Sequence, residues 1–428
     1  MGRGVERIGT QPQAKVPPGG WWDQFPPALQ EVVTARMVAS IGAGGVLYLT
    51  PMVFHNDAFT ASEVGLGLAL GAVAGTVGRF ASGVLLDQGL RCSVPVLLAA
   101  LLAMVADALL FGAHQVSGYL LGQVLFGAAV GLYWPAMELA VSLSCAPMPS
   151  ARGYALARTA DALGIALGAL IGAGLAASGH LRGIYLVDIT GLLVVVALLL
   201  RRPLPARAPL APEGRQSDWH LWLPPLLPML TLTVVATAIP ALMQSALPLD
   251  LVRGGLQRPA LPEGTGALLI GGQLGLLLLI QWPVGQFLAK RPVKLGLTIS
   301  LLSFALGCGL LALSALSSGG AGLVAAALLP VALGEAAFLP IATEAVVELT
   351  PVDHQGLAMA LFSQCFAVSS FAAPLLAGWF LDHHHHGLWL WLATALACLL
   401  GLPLVVQIGR YQRQHRHLAR SAPPAGAA

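Results

Sequence analysis

The sequence predicts an all-α membrane protein, with twelve transmembrane helices in two pseudo-symmetric six-helix bundles. Three observations carry that expectation. Of 428 residues, 57% are hydrophobic and only 10% are charged, against about a quarter charged in an ordinary soluble chain. The apolar residues gather into about twelve runs, each long enough to cross a hydrocarbon core of about 30 Å as a helix. The last six runs also repeat the first six at a fixed offset. Pro135, Pro147, Gly153 and Asp161 correspond to Pro340, Pro351, Gly356 and Gln364, and Gly65 and Gly83 correspond to Gly266 and Gly285.

The spans fall at 30–53, 63–86, 94–112, 116–143, 154–178, 183–200, 224–250, 266–289, 293–316, 320–348, 356–381 and 387–408. Helices are expected there because lipid offers backbone N–H and C=O groups no partner, and a helix satisfies nearly all of them internally. The 50 glycines suit such helices, since they let backbones approach closely. Five regions follow: an N-terminal segment (1–27), a first bundle (28–200), a linker (201–223), a second bundle (224–408) and a basic tail (409–428). The linker is rich in Pro and Arg and favours extended chain. The longest loop on the opposite side covers 251–264. The end of the tail is expected to be disordered.

Net charge is only +3, but its distribution is informative. Sorted by side, sixteen Arg and Lys residues fall on the face of the termini and linker. Only Arg182, Arg253 and Arg258 fall on the other. The positive-inside rule therefore predicts cytoplasmic termini in a cell (inner) membrane. No secretory signal peptide is read at the start, and Trp21 and Trp22 are placed to mark the headgroup level. Cys92, Cys145, Cys308, Cys365 and Cys398 lack paired spacing and imply neither disulfide nor metal site. Asp382 and the four histidines after it read as an incidental polar loop. No phosphate-cradling loop and no nucleophile–base constellation occurs, so neither ATP hydrolysis nor an enzyme is expected, and no cofactor is implied.

The run Gly78-Arg79-Phe80-Ala81-Ser82-Gly83-Val84-Leu85-Leu86-Asp87-Gln88-Gly89-Leu90-Arg91 resembles the signature loop after the second helix of the major facilitator superfamily. Gln88 stands in place of its first basic residue, and Gly89 comes one position early. A weaker copy, Gly285-Gln286-Phe287-Leu288-Ala289-Lys290-Arg291, sits at the matching place in the second half. Gly164, Gly168 and Gly172 are similar to the glycine-rich motif of proton-driven drug exporters. Ala169 occupies the place of their proline, and Gln123 that of an arginine in their fourth helix. The resemblance implies a carrier with a cavity between its bundles and Gly83, Asp87, Gly89 and Arg91 in a cytoplasmic gate. A carboxylate such as Asp87 could there meet a helix N-terminus from the other half.

Charges inside the membrane are default functional candidates. Glu335 lies near the middle of the tenth helix; it is either a proton carrier or substrate ligand, or a carboxyl hydrogen-bonded to a neighbouring carbonyl. Glu138 and Glu344 follow Pro135 and Pro340 near the cytoplasmic helix ends, where Arg79 or Arg152 could pair with Glu138 in a gate. Asp161 is one turn from Arg158, so a local pair is expected. Arg36 is expected to snorkel to the interface ahead of any substrate role. Asp107 and Asp188 are expected to make scaffold contacts. Tyr48, Tyr133, Trp134, Gln123, Gln244 and Ser245 are candidate substrate or coupling contacts. The expected function is secondary active transport of a small, amphipathic organic molecule by alternating access, first as proton-coupled export by a monomer. The expected partners are the substrate, the bilayer and protons, with no nucleic acid. Uptake or facilitated diffusion of a polar solute such as a sugar, and a non-transporting sensor on a carrier scaffold, are the alternatives.

Overall fold

The structure is a computed structural model in which residues 21–148, 150–206, 219–288, 291–351 and 355–421 are described. A short 3-10 turn at Trp21–Gln24 precedes α1 (Pro27–Asn56), α2 (Ala61–Asp87), α3 (Ser93–Gly112), α4 (Val116–Ser144), α5 (Ser150–Ala177) and α6 (Gly183–Arg201). The second half contains α7 (Trp219–Arg253), α8 (Glu263–Leu288), α9 (Val293–Ser314), α10 (Gly320–Leu349), α11 (Gln355–His384), α12 (Leu388–Leu400) and α13 (Leu402–Ser421). Together these provide twelve helices long and apolar enough to cross a membrane, the last formed by α12 continuing past Gly401 into α13 as far as Tyr411. The final residues of the expected linker are helical, because α7 already begins at Trp219. Residues 207–218, and Ala289 and Lys290 of the second signature copy, lie outside the described residues.

Within the first half, α1 packs on α5 and α6, and α4 packs on α2 and α3. The second half repeats the scheme, with α7 on α11, α10 on α8 and α9, and α12 on α9. The repeat is visible in single residues. Pro135 lies inside α4 and Pro340 inside α10, while Gly65 of α2 meets Pro374 of α11 and Gly266 of α8 meets Met52 of α1. These last two contacts cross from one bundle to the other.

Hydrocarbon gives apolar helices little reason to associate, so packing must come from close contact. Two interfaces are built for that. A Cβ on Gly71, Gly75, Gly78, Gly127 or Gly131 would run into backbone of the facing helix in the α2–α4 pair. Likewise, Cβ atoms on Gly44 and Gly168 would meet backbone of Ile165 and Ile41 in the α1–α5 pair. The glycine-rich face read from the fifth helix is therefore a helix seam. Gly168→Val should destabilise the first bundle by at least the ~1–3 kcal/mol typical of overpacking. A melting curve in detergent that matches wild type would contradict that seam.

A cavity between the bundles

A cavity of about 200 Å³ lies between the halves. Its wall is apolar at Val46, Leu47, Leu68, Phe126 and Val130, and polar at Thr76, Arg79, Gln123, Gln244, Ser245 and Ser370. Gly71, Gly75 and Gly127 also face it, because the α2–α4 seam forms part of the wall. The hydroxyls of Thr76 and Ser245 donate to carbonyls one turn back, Ala72 at 3.0 Å and Ala241 at 2.8 Å. Gln244 Nε2 donates to the Tyr48 hydroxyl at 3.4 Å across the bundle interface. Glu335, at the midpoint of α10, lies within electrostatic range of Tyr48.

The cavity is closed on the face remote from the chain ends. Asp382, at the end of α11, accepts hydrogen bonds from the backbone N–H groups of Ala61 (2.9 Å) and Ser62 (2.7 Å) in the first turn of α2. Unsatisfied N–H groups and the helix dipole make such an end a natural carboxylate site. Arg253 of α7 donates to the same carboxylate at 2.9 Å. Gly378 packs against Ala61 and Ser62, and Asn56 Nδ2 donates to Glu263 of α8 at 2.7 Å. On the other face, Gly83 and Gly285 have no atom within 4 Å of where a Cβ would stand. The acid after Trp379-Phe380-Leu381 is thus an inter-bundle contact, while the neighbouring His383 stacks on Trp379 at 5.2 Å.

Inside the first bundle, Arg36 is fully buried, which corrects the expectation that it snorkels to the interface. Its guanidinium donates to Asp161 at 2.5 and 3.1 Å and to Glu138 at 3.2 Å, and lies over the Trp134 ring at 5.1 Å. Ser40 also donates to Asp161, at 3.3 Å. Asp161 therefore pairs with Arg36 from another helix, and Arg158 turns to Glu138 at 3.9 Å. Removing one member would strand a buried charge, typically costing about 3–5 kcal/mol. Arg152 donates instead to Gln24 at 2.5 Å and lies over Phe25.

The other candidates separate by place. Gln123 and Gln244 line the central cavity, and so does Arg79, which had been expected at the gate. Tyr133 and Trp134 line a smaller cavity of about 90 Å³ within the first bundle, together with Ser40 and Asp188. The buried Asp107 of α3 and Asp188 of α6 are neighbours within the same bundle. Asp87, Arg91 and Glu344 are exposed, and no described residue pairs with Asp87 or Glu344. Gly89 has a φ of 84°, the left-handed turn its position suggested, and Arg91 bridges to Ala206 of the linker. Two further clamps, one half-buried and one buried, were not foreseen. Arg182 joins Asp57 to the end of α3. Arg258 binds Asp250 at 3.0 Å, which also accepts from Trp391.

Duplicated bundles around a central cavity have the architecture of a multi-pass membrane carrier, a transporter rather than an enzyme. Residues 32–329 and 229–426 match the family model of the Major Facilitator Superfamily, and the chain belongs to that family. Similar solved structures include the nucleoside transporter NupG, at 13% identity and a TM-score of 0.72 over 90% of this chain and 100% of that one. A mutant of the peptide transporter POT in complex with alafosfalin gives 14% identity and 0.77 over 93% and 97%. A POT family transporter in complex with 5-aminolevulinic acid gives 12% and 0.75 over 91% and 97%. No curated protein matches the sequence.

Asp382→Asn weakens the acceptor without changing its shape, and such helix-end contacts are worth about 0.3–2 kcal/mol. A cysteine introduced at Leu68 should then be labelled faster by a reagent added to the closed face. Unchanged labelling would show that Asp382 is not part of the closure.

Proposed function

We propose that this protein is a secondary active transporter that moves a small amphipathic organic molecule by alternating access. The observation carrying this reading is the central cavity, walled by both bundles and closed at one end by contacts between them. Its open volume favours a carrier over a sensor whose core would be filled with side chains. The mixed wall suits a molecule with an apolar body and polar ends. With cytoplasmic termini, as the charge distribution indicates, this is the state closed to the outside. The protein acts as a monomer in a cell (inner) membrane. Export in exchange for protons is the favoured direction, with uptake of a polar solute as the second reading. The measurement that tests transport itself is uptake into proteoliposomes against a compound panel, with and without a pH gradient.

Glu335 is the proposed coupling residue, because it stands at the midpoint of α10 within electrostatic range of Tyr48, with no described hydrogen-bond partner. Glu335→Gln should abolish gradient-driven accumulation while leaving exchange of substrate across the membrane. Full driven accumulation in a folded variant would remove it from coupling.

Asp87 is proposed to latch the cytoplasmic face in the opposite state, as Asp382 does the outer face in this one. Its exposure here fits a contact broken when that face opens. A bias of 1.4 kcal/mol changes a two-state ratio about tenfold. Asp87→Asn should slow turnover and raise labelling of cysteines placed in the cytoplasmic half of the cavity. If both stay at wild-type levels, Asp87 is only a solvated loop residue.

A further inference from the structure

Arginine in the buried parts of this protein is almost always matched by an acid. Arg36 has Asp161 and Glu138, Arg182 has Asp57, Arg253 has Asp382, and Arg258 has Asp250. Arg79 differs. It sits eight residues before the end of α2, half-buried, in the wall of the central cavity. No described carboxylate lies within ion-pair range, and no described group accepts a hydrogen bond from it. Eight residues of helix place it about 12 Å inside the end of the span, where an unmatched charge is costly and points to a missing partner. The same wall holds a second unmatched group. Gln123 is 4% exposed, lines the cavity, and its side chain has no described hydrogen-bond partner.

We propose that the central cavity binds an organic anion, whose carboxylate is held by Arg79 and whose opposite polar end meets the Gln123 amide. Gln123 packs beside Gly71, two helical turns from Arg79 along α2, so the two anchors are spaced for an elongated molecule. Between them the wall is Leu47, Phe126 and Val130, with the glycines of the seam. That surface takes an apolar body and provides no second charge. Guanidinium geometry suits a carboxylate, which it can grip with two parallel N–H bonds. This inference rests on the transport reading of the same cavity and adds the charge class of what is carried.

The test uses the full-length protein in lipid nanodiscs and proteoliposomes, with phenylacetate and octanoate as probes. Their primary amides and the amines phenylethylamine and octylamine serve as matched neutral and cationic forms. Thermal stabilisation should occur with the carboxylates and fall away with the amides and amines. Arg79→Gln should weaken carboxylate binding by on the order of tenfold or more, as expected for a charge-assisted hydrogen bond, and Arg79→Lys should restore part of it. Gln123→Leu should weaken it less. Retention of wild-type melting in the absence of probe identifies variants that are folded. Binding of an amide or amine at least as strong as that of the acids overturns the proposal, as does any outcome in which the carboxylates show no Arg79-dependent binding. The proposal also falls if Arg79→Gln alters cavity accessibility with carboxylate binding unchanged, since the arginine then belongs to the gate. Arg79-dependent binding without uptake into proteoliposomes upholds the anion site and sinks the transport reading instead; uptake of an amine with no role for Arg79 does the reverse.

Discussion

Close backbone contact along the glycine seams governs much of the rest of this molecule. The α2–α4 and α1–α5 pairs meet backbone to backbone, so their side chains are directed elsewhere, toward lipid or toward the centre. One consequence is that α2 can be held by its own bundle on one side and contribute to the cavity wall on the other. Another is rigidity. A bundle locked at its seams would move as a unit in the proposed transport cycle, with rearrangement confined to the softer contacts between bundles. The same glycines that hold α2 also line the cavity, so packing and shape of the binding surface are set by one feature.

Charge follows a similar division of labour. The clamps at Arg36, Arg182 and Arg258 stay within one bundle; the Arg36–Asp161 and Arg258–Asp250 pairs are buried, and the Arg182–Asp57 pair is half-buried. Buried pairs of this sort add little net stability compared with apolar packing, but each is strongly unfavourable to break. They therefore fix geometry inside a bundle. The carboxylate of Asp382 does something else, since besides Arg253 of its own bundle it binds main-chain amides of the other bundle. That contact is partly exposed, which suits the proposed opening and closing of this face.

Much of the fold could be read from the chain because its physics is periodic. Span length, the repeated prolines and the sided arginines are all properties of sequence order. Gly89 was legible too, as a turn after a helix end. The site was less so. Arg36 and Asp161 are 125 positions apart, and spacing on one helix could offer only Arg158 as a partner. Tyr133 and Gln244 both lie on helices near the centre, yet they face different cavities, and a helix with apolar residues on every side gives no phase from which to tell them apart. Asp382 was obscured by the four histidines after it, with which it read as an incidental polar loop. Its role depends on which helix end stands opposite, and that is a property of the assembled pair of bundles.

The Asp382 contact has one further consequence. A side chain that binds a side chain constrains two positions, and substitutions at one leave a trace at the other. Asp382 binds the peptide N–H groups of residues 61 and 62, which any amino acid except proline supplies. The contact would thus leave almost no paired signal across related sequences, however strongly it is maintained. Methods that infer contacts from correlated substitution would pass over this contact between the two halves of the protein.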